Sequence, residues 1–398
     1  MRHVLFVDDE PNILEGLQRM LRVYRDEWTM AFAPDAQAAL SELKAAPFDV
    51  IVSDMRMPGM DGAALLARVK EEFPKVIRIV LSGHTDLEAS MRAVPVAHQF
   101  LTKPCEAVAL KETISRTCDL QALLEDQTLR SVVGEIDRLP SLPRIYRDLT
   151  QALKDPEVSL ERVTRIVEQD VAMCAKVLQL VNSSFFGLPR RVSNVKMAIG
   201  RLGTTMLRNL VLSVEIFAAF QPKRGEHFSP EAAQRHAFMC ATIAKRLLPD
   251  RLEAEDAFAA GMLHDVGMLV LAARMPELFA RLFGEARARR RPEAMVEGST
   301  TVHHGSIGGY LLGVWGLPYS IVEAVVNHHV PSRVSQRRFD VVAAVHVANF
   351  LAHEQSGTAD DGDVEESLDM PYLEALGVAD KVPEWRAMAA EQIAAAAA

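Results

Sequence analysis

From its start the chain alternates short apolar runs with stretches whose apolar residues recur at helical spacing. His3–Val7 is an apolar run that ends in acids, as a strand buried on both faces does. Residues 12–23 follow with Ile13, Leu14, Leu17 and Leu21 three and four apart, which puts them on one helix face. Runs at 29–33, 50–53, 77–81 and 99–102 predict further strands, and 36–45, 62–73 and 86–94 the helices between them. Such alternation predicts a parallel sheet covered by helices on both faces, a doubly wound α/β domain over residues 1–120.

From Glu106 the pattern turns helical and stays so to about Ile136, through Leu110, Ile114, Leu123, Leu124, Val132 and Val133. Residues 121–138 are read as a helical linker. Its apolar spacing is not a clean heptad, which leaves a coiled-coil homodimer open without requiring one. Leu139-Pro-Ser-Leu-Pro143 stops the helix, because neither proline can continue it, and marks a domain boundary. Beyond it strand signals almost vanish. Helical patterns at 144–154, 160–168, 172–183, 197–220, 230–248, 254–273, 276–291, 304–315, 320–329 and 339–354 predict an all-α domain over 139–355. Gly187-Leu-Pro189, Gly225 and Gly316-Leu-Pro318 are its expected breaks. Residues 356–398 read as an acidic flexible linker at 357–363, a short helix near 367–376 and a frayed alanine-rich tail.

A chain of 398 residues exceeds one hydrophobic core, in keeping with this division. The net charge of -9 gives no electrostatic reason to bind nucleic acid or an anionic membrane. The basic cluster of Arg287 and Arg289–Arg291 reads as a solvated helix end. Cys105, Cys118, Cys174 and Cys240 are scattered, with neither a disulfide framework nor a zinc knuckle in their spacing. The apolar stretch at the start is too short for a signal peptide, and no uninterrupted apolar run is long enough to span a membrane. A cytoplasmic protein is expected.

In open parallel sheets functional groups gather at the carboxyl ends of the strands. With the predicted strands in register, that edge carries Asp8, Asp9, Asp54, Ser82 and Lys103. Clustered acids recruit Mg2+, which relieves the repulsion between a carboxylate and a phosphoryl group. Asp54 is then the nucleophile, forming an aspartyl phosphate. Lys103 supplies positive charge to the transferred oxygens and Ser82 a hydroxyl donor.

Phe6-Val-Asp-Asp9, Ser53-Asp-Met-Arg-Met-Pro-Gly-Met-Asp-Gly62, Leu81-Ser-Gly83 and Phe100-Leu-Thr-Lys-Pro104 resemble, in order, the motifs of response-regulator receiver domains. The resemblance implies a flavodoxin-like fold and phosphorylation of Asp54 by a sensor histidine kinase. It also implies Mg2+ held by Asp8, Asp9, Asp54 and the main-chain carbonyl of Arg56. Phe100 is then the aromatic switch residue and Lys103–Pro104 a cis bond.

The second domain concentrates histidine: His227, His236, His264, His303, His304, His328, His329, His346 and His353. The adjacent His264-Asp265 pair can offer nitrogen and oxygen to a divalent metal, with distant histidines completing the shell. Leu139-Pro-Ser-Leu-Pro143, Gln169-Asp170, residues 178–183, Ala198-Ile-Gly-Arg-Leu-Gly203 and residues 257–270 resemble the HDOD domain, an all-helical relative of the HD and HD-GYP phosphohydrolases. That family implies signalling output by protein contacts, often in systems controlling cyclic di-GMP. By comparison with the catalytic relatives, His236, His264, Asp265, His304, His328 and His329 stand where ligands to Mn2+ or Fe2+ would be.

Met268 replaces a lysine of those relatives and Asn349 a closing aspartate, so the phosphate-handling groups are the altered ones and the balance leans away from an enzyme. His227, His303, His346 and His353 read as core residues, as do Met262, Met268 and Met275. Phe185, Phe186, Phe217 and Phe220 read as core or interface anchors. The expected function is a phosphorelay response regulator with a protein-binding output. The alternative is a phosphorylation-gated metal phosphodiesterase. A DNA-binding regulator is disfavoured for want of a basic recognition helix.

Overall fold

The computed structural model describes residues 1–83, 93, 96–105, 107–120, 127–134, 136, 140–141, 143–155, 158–182, 191–204, 207, 211, 218–219, 229–289, 303–334, 338–356 and 368–397. Its first part is a parallel sheet of β1 (Arg2–Val7), β2 (Trp28–Ala33), β3 (Val50–Asp54), β4 (Ile77–Gly83) and β5 (Gln99–Lys103) in the order β2-β1-β3-β4-β5. This is the doubly wound flavodoxin-like order, with its switch point between β1 and β3.

Side-chain alternation divides the core into two faces. Leu5, Val7, Ile51, Val80 and Phe100 pack on α2 (Ala36–Ala45) and α3 (Gly62–Glu72) through Leu40, Leu43, Leu65 and Val69. Val4, Phe6, Val52, Ile79 and Leu101 pack on α1 (Pro11–Leu21) and α4 (Ala107–Leu120) through Leu17, Leu21, Leu110 and Ile114. Asp35 and Asp61 cap α2 and α3, accepting from Ala38 and Ala64 N–H at 2.8 and 2.9 Å. The helix expected at 86–94 lies outside the described residues except for Ala93.

The linker contributes α5 (Gln127–Gly134), which docks against the edge of the sheet opposite the acids. There Arg78, fully buried on β4, donates to the carbonyls of Val96 at 2.7 Å, Val76 at 3.2 Å and Gly134 at 2.6 Å. His98 accepts the Arg78 main-chain N–H on Nδ1 at 3.0 Å, and its Nε2 lies 2.8 Å from Arg78 Nη2 and 3.3 Å from the Gly134 carbonyl oxygen. Burial, and then the Arg78 charge, hold His98 well below its ordinary pKa, so the ring is neutral. Leu129, Val133 and Ile136 are buried in the core that runs from the sheet into the helical domain. Each such side chain stabilises the join by roughly 1.5–3 kcal/mol.

The second domain comprises α6 (Pro143–Leu153), α7 (Leu160–Val167), α8 (Val171–Asn182), α9 (Val195–Leu202), α10 (Pro230–Leu247), α11 (Arg251–Leu263), α12 (Val266–Arg274), α13 (Pro276–Arg289), α14 (His304–Val314), α15 (Tyr319–Asn327) and α16 (Val341–Ser356). Helix α10 packs on α11 and α16, and α14 on α12 and α15. Two helices follow, α17 (Met370–Ala375) and α18 (Val382–Ala397), the latter against α10 and α16.

Several expectations are corrected. The helix expected over 197–220 is interrupted after Leu202, because Gly203 takes φ +76°; of the described residues beyond it, Thr204, Leu207 and Val211 are helical, and Ala218–Ala219 form a short strand pairing in parallel with Pro140–Ser141. The helix expected over 254–273 breaks at His264-Asp265, where Asp265 adopts φ −99°, ψ 14°. The alanine-rich tail is helical through Ala397, in line with alanine's helix propensity. Arg251–Arg274 is, by length and composition alone, apolar enough to cross a membrane, although acids interrupt it; 67% of its window is buried inside the domain. His303 and His353 are half-buried surface residues and not core ones. His227, Phe185, Phe186, Phe217, Phe220, the 357–363 linker and the side chains of the arginine cluster lie outside the described residues.

Candidate functional site

Two clusters bring the chemistry-bearing residues together. The first lies at the carboxyl edge of the sheet. Asp8 follows β1, Asp54 ends β3 and Lys103 ends β5, so the parallel register alone delivers them to one edge. Lys103 Nζ lies 2.6 Å from Asp8 Oδ2 and forms a still closer ion pair with Asp54 Oδ1. The Arg56 N–H donates to Asp54 Oδ2 at 2.6 Å, and Glu10 N–H to Asp8 Oδ1 at 3.0 Å.

Gly62 makes this packing feasible, since a Cβ there would sit 2.1 Å from the Asp54 carbonyl oxygen. Burial raises the Asp54 pKa against the lowering effect of Lys103. Burial also opposes charge on Lys103, but hydrogen bonds to Asp54 and Asp8 outweigh it and raise its pKa. Asp9 is half-buried beside this group, and Phe100 is buried on β5. Ser82 lies on β4 opposite Thr102; its side chain is outside the described set. Lys103–Pro104 is cis. The three carboxylates Asp8, Asp9 and Asp54 offer hard oxygens suited to Mg2+, with Lys103 as the counter-charge beside them.

The second cluster gathers residues from α10, α14, α16 and the turns after α11 and α15. His304 Nε2 lies 3.2 Å from His328 Nε2, His329 Nε2 and Asp265 Oδ1. Asp265 Oδ2 is 3.2 Å from His264 Nε2. His264 and His328 each direct Nδ1 at a main-chain carbonyl at 2.7 Å, of Gly261 and Val325, which turns Nε2 toward the cluster. Burial, reinforced by the neighbouring imidazoles, lowers the His328 pKa well below its usual value. Burial opposes charge on both His264 and Asp265, yet their proximity holds the histidine up and the aspartate down, as an ion pair.

His264 Nε2 is buried and makes no hydrogen bond of good geometry, its charged neighbour being Asp265 Oδ2 at 3.2 Å. Imidazole nitrogens converging on a carboxylate fit a divalent cation, which on binding takes the place of the His264 proton. The potential ligand atoms fall into two groups, His304 with His328 and His329, and His236 with His264 and Asp265. Gly267 lets α12 approach, because a Cβ there would meet the His304 carbonyl oxygen at 2.0 Å.

The altered positions have ordinary partners. Asn349 Oδ1 accepts from His236 Nε2 at 2.7 Å, and Met268 packs, partly buried, against the core. The sequence reading placed His353 in the core and not at this cluster, yet its ring lies 4.1 Å from that of His236. The spacing of His346, Asn349 and His353 on one helix was the available signal. His346 is a satisfied buried residue: its Nδ1 donates to the His328 carbonyl at 2.7 Å and its Nε2 accepts from Asp369 N–H at 2.9 Å.

Residues 4–115 match the response regulator receiver domain family and residues 139–331 the HDOD domain family. An uncharacterized protein of Treponema pallidum is 29% identical over 222 residues, 55% of this chain and 43% of that protein. The hydrogenase transcriptional regulatory protein HoxA of Cupriavidus necator is 36% identical over 125 residues, 31% of this chain and 25% of that protein. The chain thus spans less than half the length of either curated relative. The MmoQ response regulator of Methylococcus capsulatus aligns over 60% of this chain and 98% of its own with 21% identity and a TM-score of 0.46.

Proposed function

For a chain that is a response regulator, a receiver domain followed by an HDOD domain, we propose that Asp54 accepts a phosphoryl group from a partner histidine kinase in the cytoplasm. Its phosphorylation then governs the protein contacts of the HDOD domain. The observation that carries this reading is Lys103, paired at once with Asp8 and Asp54 at the strand ends.

Arg56 N–H holds Asp54 Oδ2, which leaves Oδ1 as the attacking oxygen. That oxygen forms the new P–O bond as the bond from phosphorus to the donor nitrogen breaks, and the imidazole leaves with a proton. Lys103 then turns from the carboxylates to the phosphoryl oxygens, joined by the Ser82 hydroxyl, and Phe100 follows that movement. Asp8, Asp9, Asp54 and the Arg56 carbonyl would hold Mg2+, which would supply neutralising charge to the phosphoryl oxygens. Incubation with a radiolabelled phosphodonor should give a base-labile acyl phosphate in the wild type and none in Asp54→Asn. Label of that kind retained by the variant would end the proposal.

A second reading is favoured by the buried His264 Nε2 and the convergence around it. In it His236, His264, Asp265, His304, His328 and His329 hold Mn2+ or Fe2+, which would supply an activated water for phosphodiester hydrolysis, cyclic di-GMP being the first substrate to assay. Met268 and Asn349 weigh against turnover, so binding is the stronger half of this reading. Metal-loaded protein should then hydrolyse the dinucleotide and His264→Ala should not. Inert, metal-loaded wild type leaves output by protein contacts as the function of this domain.

A further inference from the structure

Two elements, β5 and α14, lie between the clusters. Strand β5 carries Lys103 at one end and Gln99 at the other. Gln99 is buried and donates through Nε2 to Thr117 Oγ1 of α4 at 3.0 Å. Its Oε1 faces the end of α14: a Cβ added at Gly316 would lie 2.9 Å from Arg191 Nη1 and 3.4 Å from Gln99 Oε1. Gly316 is the C-terminal stop of α14. At φ +77° it donates to the Gly313 carbonyl at 2.9 Å, while Leu317 N–H reaches the Leu312 carbonyl at 3.0 Å, a closed helix end.

At the other end of α14 stands His304, the centre of the histidine cluster. Between these ends α14 packs against α4 of the receiver and against the linker helix α5, which Arg78 ties to the sheet. The helix has little slack. A Cβ on Gly309 would meet Val326 Cγ2 at 2.2 Å and one on Gly305 the Val325 carbonyl oxygen at 2.9 Å, so α14 is pressed to α15 at backbone distance. Eleven residues of α14 span about 16 Å, so His304 and the receiver contact are the two ends of one short rod.

We propose that the histidine cluster is a second input to the receiver: a divalent cation bound there and a phosphoryl group on Asp54 bias one another through β5 and α14. This rests on the reading that the cluster binds a cation, and it assigns that cation a regulatory use. Gathering His304 toward His264 and Asp265 fixes one end of α14. Drawing Lys103 onto a phosphoryl group shifts the strand whose far end, at Gln99, lies beside the other. The coupling is reciprocal: whatever factor the phosphoryl group applies to cation affinity, the cation applies to the stability of the phosphorylated state.

The test uses the full chain in excess Mg2+, which saturates the receiver acids. Co2+ is titrated by its visible spectrum, with and without beryllofluoride as phosphoryl mimic. The wild type should show a nitrogen-rich Co2+ spectrum, absent in His304→Ala, and an affinity that changes about fivefold or more with the mimic. Gln99→Ala should bind Co2+ within about twofold of the wild type and lose most of the change, since coupling and not ligation runs through it. A wild type that binds Co2+ with one affinity in both states overturns the coupling and leaves cation binding standing. Absence of the nitrogen-rich spectrum overturns cation binding and the coupling with it. An undiminished change in Gln99→Ala, folded by circular dichroism, overturns the route.

Discussion

Asp54 and Asp8 share one lysine, and the interior environment of Asp54 favours its neutral form. A carboxyl whose folded pKa is raised contributes stability at low pH that is lost as pH rises through that pKa. Asp54→Asn should therefore stabilise Mg2+-free protein at neutral pH, by about 1 kcal/mol, with the gain shrinking below the ordinary carboxylate range. Thermal unfolding across pH measures it. The buried His264 Nε2 gives a second expectation. A cation at a hundredfold excess over its Kd should raise stability by about 2.7 kcal/mol, reversed by a chelator and missing in His264→Ala. The acids and Lys103 were legible because each sits at a strand end inside a short local motif. His353 was not, since a histidine on a helix declares no partner until α10 is seen beside α16.

Among the elements, close backbone approach separates glycines that pattern alone cannot rank. Gly267→Ala must push α12 from α14, because its Cβ would lie 2.0 Å from the His304 carbonyl oxygen; we expect a loss of about 3 kcal/mol or more in chemical denaturation. Gly16, inside α1 with nothing within 4 Å of a Cβ, should gain about 1 kcal/mol on substitution by alanine. The order of strands and most helices could be read from apolar periodicity, which follows burial directly. The break at His264-Asp265 could not, because Ala260, Leu263, Val266 and Val270 keep the helical spacing across it while Asp265 alone turns the backbone. The same blindness joined 197–202 to 218–219, where a single positive-φ glycine decides the end of α9.

Taken whole, the chain extends the helical domain past its family match with α17 and α18. The Trp385 and Phe339 rings lie 4.9 Å apart, and Asp369 N–H reaches the cluster through His346 and the His328 carbonyl. Truncation after Ser356 should lower the unfolding temperature by several degrees and weaken Co2+ binding about tenfold, as loss of an outer support does. Nothing in the sequence announced the contact between the two domains. The two prolines before residue 144 read as a boundary, and Leu129, Val133 and Ile136 as a linker stripe, yet all three sit in a core common to both domains. That shared core has an engineering corollary. A receiver borrowed from another regulator and spliced in before residue 121 would bring no counterpart for Arg78 and His98 beneath Gly134. Such chimeras should be sticky and protease-sensitive at the splice unless the graft carries its own matching floor.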